Sequence, residues 1–175
     1  MLKWLLFVAV ALVAIVALVA LFGMLLPQNH VASRAAIFHQ PPDALFAIIS
    51  DVASAASWRT DITKVEMLPP IDGRVRFREV GKMDGVVMEV QEVSRPTRLI
   101  TRIADPDQPF GGTWTFDLAS VNGGTRLAIT ERGEVYNPIF RALGRFVFGY
   151  TSTMDGYLRA LGKKLGEEVT PGPYE

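Results

Sequence analysis

The sequence predicts an α+β fold: about seven antiparallel strands covered by a long C-terminal helix, behind one N-terminal transmembrane helix. Three observations carry that prediction. Residues 62–136 contain six short runs rich in Val, Ile, Thr, Phe and Trp, separated by turn residues, which is the pattern of an antiparallel meander. Residues 137–168 then switch to a helical period with apolar side chains on one side only. At the other end of the chain, Trp4 to Leu26 is an unbroken apolar run.

At about 1.5 Å per residue that run spans about 35 Å as a helix, enough to cross a hydrocarbon core of about 30 Å. The competing reading is a cleaved signal peptide. Signal h-regions are shorter, at about 7–15 apolar residues, and Val31-Ala32-Ser33 is a poor small-residue cleavage site. The run is therefore read as an uncleaved anchor. Lys3 precedes it, and Pro27 to Ser33 holds no Lys or Arg. The positive-inside tendency then puts the N-terminus in the cytoplasm and the following domain on the non-cytoplasmic side.

Residues 32–39 read as a first strand, ended by Pro41-Pro42. Leu45, Phe46, Ile48 and Ile49 give helical spacing over Asp43 to Asp51, and Val52 to Trp58 reads as a second short helix or turn. The six strands of the meander are 62–69, 74–81, 86–94, 98–104, 112–120 and 125–136. Asp72-Gly73, Asp84-Gly85, Arg95-Pro96, the loop Asp105 to Gly111, and Asn122-Gly123-Gly124 separate them. In the last three strands, Leu99/Thr101/Ile103, Trp114/Phe116/Leu118 and Leu127/Ile129 share one face, with Arg98, Arg102, Thr113, Asp117 and Arg126 on the other.

That apolar face answers a need of the last segment. Asn137 is a good N-cap and Pro138 suits the first helical position. Ile139, Leu143, Phe146, Val147, Tyr150, Met154, Tyr157, Leu158, Leu161 and Leu165 then recur at three- and four-residue steps, opposite Arg141, Arg145, Asp155, Arg159 and Lys163. As one helix the segment is about 45 Å long, more apolar length than a single neighbouring helix covers. The tail 171–175, with Pro171 and Pro173, reads as a frayed end. The expected organisation is thus an anchor over 1–27, a domain over 28–170 and a tail over 171–175.

Composition narrows function. Of 18 Lys and Arg residues only Lys3 precedes residue 27, whereas all 18 Asp and Glu follow it, so the domain carries one net negative charge. Scattered basic residues on a near-neutral domain give no footprint for nucleic acid. The chain has no cysteine, which excludes disulfides, thiolate catalysis and Cys-type zinc sites. The sequence contains no Gly-x-Ser-x-Gly, phosphate-cradling loop or His-Glu-x-x-His motif. His30 and His39, the only histidines, lie in no ligand motif and read as ordinary strand or surface residues. No metal and no cofactor is expected.

The stretch Gln40-Pro41-Pro42-Asp43-Ala44-Leu45-Phe46-Ala47-Ile48-Ile49-Ser50-Asp51, followed by Trp58, Asp61 and Thr63-Lys64-Val65-Glu66, resembles the opening of the SRPBCC superfamily. That superfamily includes START domains, birch-pollen-allergen-like proteins and polyketide cyclase/dehydrase-like proteins. The resemblance spans roughly residues 32–168. It implies a helix-grip fold, in which a curved sheet grips the long helix and leaves a cavity for an apolar ligand. Some members are enzymes and many are binders or carriers.

Trp58, Phe77, Met88, Trp114, Phe116, Tyr150, Met154 and Tyr157 are candidates to line such a cavity, since aromatic and Met side chains adapt to apolar ligands; a filled core uses the same residues. Glu131 is the one catalytic candidate. Continuing the alternation of Leu127 and Ile129 points its carboxylate inward, where it can serve as acid, base or ligand anchor, unless a bulge near Gly133 turns it outward. The expected function is a membrane-tethered, monomeric binder or carrier of a hydrophobic small molecule or lipid. The alternatives are a cyclase/dehydratase-like enzyme acting in the same cavity and an accessory domain with a filled core.

Overall fold

The computed structural model describes residues 1–81 and 85–174, so Asp84 of the expected Asp84-Gly85 turn lies outside the described residues. Helix α1 (Leu2–Leu25) is followed by β1 (Asn29–Phe38), α2 (Pro42–Ser50), a 3-10 turn (Val52–Ser57) and the strands β2 (Lys64–Ile71), β3 (Arg74–Val80), β4 (Val86–Ser94), β5 (Arg98–Ile103), β6 (Phe110–Val121) and β7 (Gly124–Val135). Helices α3 (Pro138–Leu143) and α4 (Ser152–Leu165) and a short strand β8 (Gly172–Pro173) complete the chain. The strands form one curved antiparallel sheet in the order β2-β3-β4-β5-β6-β7-β1-β8.

Among the described residues α1 is the one helix long and apolar enough to cross a membrane. Its side chains are exposed along almost the whole length. The domain core lies on the inner face of the sheet. Phe38, Leu45, Leu99, Phe116, Leu127 and Ile129 pack there with Met154, Leu158 and Leu161 of α4. Registers Leu99↔Phe116, Phe116↔Ile129 and Leu118↔Leu127 put the alternating apolar residues of three strands side by side, which is the surface the final helix covers.

The final helix is not continuous. After α3, residues Gly144–Phe148 form a π-helical turn and the chain breaks at Gly149, whose φ is +71°. Periodicity alone does not register such a break, because the residues on either side keep helical spacing while the path between them bends. The left-handed backbone at Gly149 is open to glycine and strained for a side chain. Only α4, about 21 Å long, lies in the grip of the sheet, and Gly166 ends it in a left-handed C-cap at φ +73°. Asn137 does cap α3, its side chain accepting from the Ile139 and Phe140 amides.

The tail also departs from expectation. Gly172 and Pro173 pair with Ala35 and Arg34 of β1, which brings the sheet to eight strands among the described residues, against the expected seven or so. A two-residue strand carries no period to read, and its one proline, Pro173, is tolerated because it is the sheet edge. Arg34 ties three elements together: it donates to both carboxylate oxygens of Asp155, at 2.5 and 3.1 Å, and to the Pro171 carbonyl at 2.9 Å. Asp155 is therefore engaged by the sheet and is not part of a free polar face.

The other end of α4 is fastened by Glu167, which accepts from the His39 amide at 2.8 Å and the Gln40 side chain at 3.1 Å. Partial burial works to raise this carboxyl, but the His39 amide, the Gln40 side chain and the His39 ring outweigh it and hold it below its ordinary value of 4.5. A carboxyl depressed in the folded state stabilises above its unfolded value, and that contribution is lost as pH falls through the depressed one. Glu167→Gln is expected to flatten the loss of thermal stability on acidification below about pH 4.5; melting curves across that window, wild type against variant, check it. Parallel curves would mean the carboxylate contributes nothing.

Candidate ligand cavity

Between the inner sheet face and the bend that joins α3 to α4 lies a cavity of about 520 Å³. Trp58, Phe77, Met88, Trp114, Phe116, Glu131, Tyr150 and Tyr157 all border it. Met154 does not: it is fully buried in the core with Leu158 and Leu161. It stands one and two turns before those leucines on α4 and shares their face. The bend makes the room, since an unbroken helix would carry the side chains of 144–150 across this space.

An aromatic group surrounds Tyr157. Trp58 meets its ring edge-on at 5.1 Å between centroids, Phe116 lies at 5.4 Å and Trp114 at 6.0 Å, spacings favourable for aromatic pairs. Behind it stands a charged cluster. Arg59 donates to Glu79 at 2.5 Å and to both oxygens of Asp61 at 3.1 and 2.5 Å, and its guanidinium is 5.3 Å from the Tyr157 ring centre. Burial opposes the Arg59 charge, but the hydrogen bond to Asp61 and the field of Glu79 push its pKa up, so it stays cationic. Burial pushes the Tyr157 hydroxyl up as well, against the nearby guanidinium, and this tyrosine is a neutral donor throughout the physiological range.

The second polar point is Glu131, which faces inward. Register runs without a shift through Trp114↔Glu131 and Gly112↔Gly133, so no bulge turns it away. Its Oε2 accepts from Trp114 Nε1 at 2.8 Å, and its Oε1 lies 3.0 Å from His30 Nε2. The His30 ring stacks on Tyr150 at 3.7 Å between centroids with 16° between planes. Both polar side chains are largely shielded, at 13% exposure for His30 and 19% for Glu131. Gly133, opposite His30 in the ladder, leaves space for the imidazole: a Cβ there would stand 2.2 Å from its Cε1.

His30 is thus a cavity residue, not the isolated strand histidine its sequence context suggests. Nothing local in the sequence reveals this, because the ladder between β1 and β7 joins residues about a hundred positions apart. A carboxylate that holds an imidazole beside an apolar space can orient a ligand's hydroxyl or carbonyl, or move a proton.

The chain matches the family model for polyketide cyclase / dehydrase and lipid transport over residues 30–168. It belongs to that family. The match covers β1 through α4 and excludes α1. Similar solved structures of this polyketide cyclase / dehydrase and lipid transport fold include a START superfamily protein from Mycobacterium smegmatis, 17% identical with a TM-score of 0.63 over 78% of this chain and 97% of that one. The Zhui aromatase/cyclase from Streptomyces sp. R1128 is 12% identical with a TM-score of 0.59 over 78% and 96%. The di-domain ARO/CYC StfQ from the steffimycin biosynthetic pathway is 9% identical with a TM-score of 0.64 over 79% of this chain, which spans 53% of that one. At these identities the likeness is one of fold. Comparison with curated proteins finds no match.

Proposed function

We propose that this chain is a membrane-tethered domain that binds or carries a hydrophobic small molecule or lipid in the cavity between sheet and C-terminal helices. The observation that carries the reading is a space of about 520 Å³, within the range of roughly 300–1,000 Å³ usual for ligand pockets, whose walls are mainly apolar and whose polar groups sit at a few defined points. The family description supports it by naming lipid transport. Residues 1–27 serve as the anchor and 28–170 as the binding domain, with the tail folded back on β1. Lys3 before α1 favours a cytoplasmic N-terminus and a domain on the other side.

A titration tests it. An anthroyloxy fatty acid added to the chain in detergent, with Trp4→Phe to silence the anchor, is expected to quench Trp58 and Trp114 emission saturably. Absence of saturable quenching with a panel of fatty acids and polycyclic aromatics would leave the filled-core accessory reading in its place.

A second reading has an observation of its own, the Glu131–His30 pair at 3.0 Å. In an aromatase/cyclase-like enzyme these two would pass a proton to and from an apolar substrate while Tyr150 holds the imidazole in place. Glu131→Gln separates the readings: binding affinity should change less than about tenfold in a carrier, whereas an enzyme relying on the carboxylate should lose turnover by roughly a hundredfold or more.

A further inference from the structure

The wall between the cavity and the membrane helix is a single segment. Phe140, Gly144 and Phe148 face the cavity, while Ala142, Leu143, Phe146 and Val147 form a groove with Leu18, Val19 and Phe22 of α1. The Phe146 ring is 5.7 Å from that of Phe22. Three consecutive large apolar side chains, Phe146, Val147 and Phe148, are 64–65% exposed, and Phe140 beside them is 46% exposed. Among the described residues no domain surface covers them, and a run of this kind is foreign to a water-facing helix end.

Their level along α1 identifies what does. Phe22 and Leu18 precede the helix end at Leu25 by about 5 and about 10 Å, so the ridge lies as deep as the apolar faces of interfacial helices, which sink about 5–10 Å into the boundary of headgroups and acyl chains. The segment is also fixed at that level. Arg141 donates to the Gly23 and Leu26 carbonyls at the end of α1, at 3.4 and 3.3 Å, and to the Tyr136 carbonyl at 2.9 Å. At Gly23 a Cβ would stand 1.9 Å from the Pro138 carbonyl oxygen, so the two backbones touch. Exposed Arg145, next to the ridge, is long enough to reach lipid phosphates.

The geometry points to residues 140–148 as a wedge immersed in the acyl region of the leaflet where α1 ends, forming the wall across which the cavity exchanges its ligand with the bilayer. This rests on the membrane-tethered reading of α1, and the test separates the two.

The chain lacks cysteine, so single nitroxide labels can be placed without background at Phe146→Cys and Val147→Cys, with Leu18→Cys in α1 as the lipid reference and Asn122→Cys, in the turn at the far end of β6, as the aqueous one. The full chain is reconstituted in vesicles of equal parts phosphatidylcholine and phosphatidylglycerol. Relaxation by oxygen should exceed relaxation by a nickel chelate at 146, 147 and 18, and fall below it at 122. Aqueous behaviour at 146 and 147 with a lipid-like label at 18 overturns the wedge and leaves the anchor standing. An aqueous label at 18 overturns the anchor and the wedge together. Mutual dipolar broadening of labels at 146 would assign the ridge to a second copy of the chain and overturn it as well. For the exchange route, Phe146→Glu is expected to slow uptake of the anthroyloxy fatty acid from vesicles by roughly tenfold while leaving affinity in detergent unchanged; equal uptake rates would refute passage through this wall.

Discussion

Thr101→Trp is expected to abolish high-affinity uptake of an apolar ligand while the domain remains folded. Thr101 is a buried residue of β5, opposite Trp114 in the ladder, and its side chain borders the cavity. An indole there occupies ligand space from the rigid side of the site, where the sheet cannot move away. The expected loss is about a hundredfold in affinity, near 2.7 kcal/mol. Overpacking ordinarily costs about 1–3 kcal/mol of stability, but here the added ring enters open volume, so the melting temperature should fall little. Fluorescent fatty acid titration beside a melting curve checks both halves. Unchanged affinity in a folded variant would place the ligand elsewhere.

Leu158→Ala addresses the grip itself. Leu158 is fully buried on α4 and packs in the cluster that includes Leu99, Phe116, Leu127 and Ile129 of the sheet. Truncation removes its burial and leaves a void that the strands cannot close, at a cost of about 2–5 kcal/mol. At about 2–4 °C per kcal/mol for a domain of this size the melting temperature should drop by roughly 5–15 °C. Thermal unfolding of the full chain in detergent, followed by near-ultraviolet circular dichroism, measures it. A cost below about 1 kcal/mol would mean that α4 is not held by the sheet.

The parts of the molecule that were legible from sequence are those set by local pattern. The meander is one: turn residues at Asp72-Gly73 and Asn122-Gly123 punctuate alternating runs, and the inward sides of β5, β6 and β7 follow from period two. Glu131 is legible for the same reason, as a continuation of Leu127 and Ile129. The C-terminal segment shows where pattern stops being enough. Phe146 and Val147 sit at helical steps from Leu143 and Tyr150 and so read as sheet-facing, yet they lie beside α1, on the far side of the break at Gly149 from α4. An apolar residue reads alike whether it faces a core or lipid.

The site's charged chemistry was hidden by a different cause. His30 meets Glu131 only because β1 closes the sheet against β7, and Arg59 meets Glu79 across the 3-10 turn and β3. Both pairings depend on long-range register, which no local spacing encodes. The same holds for Arg34, whose partners Asp155 and Pro171 belong to the last helix and the tail. Residues that bind each other across topology are individually unremarkable in sequence.

The most direct test of the central claim is native mass spectrometry of the full chain released from membranes of the cells that make it. The account predicts a population heavier than the chain by one small apolar molecule, displaced on adding excess fluorescent fatty acid and missing from Thr101→Trp. A chain that flies at its bare mass under conditions that keep it folded, and that acquires no adduct from any apolar compound offered, would contradict it.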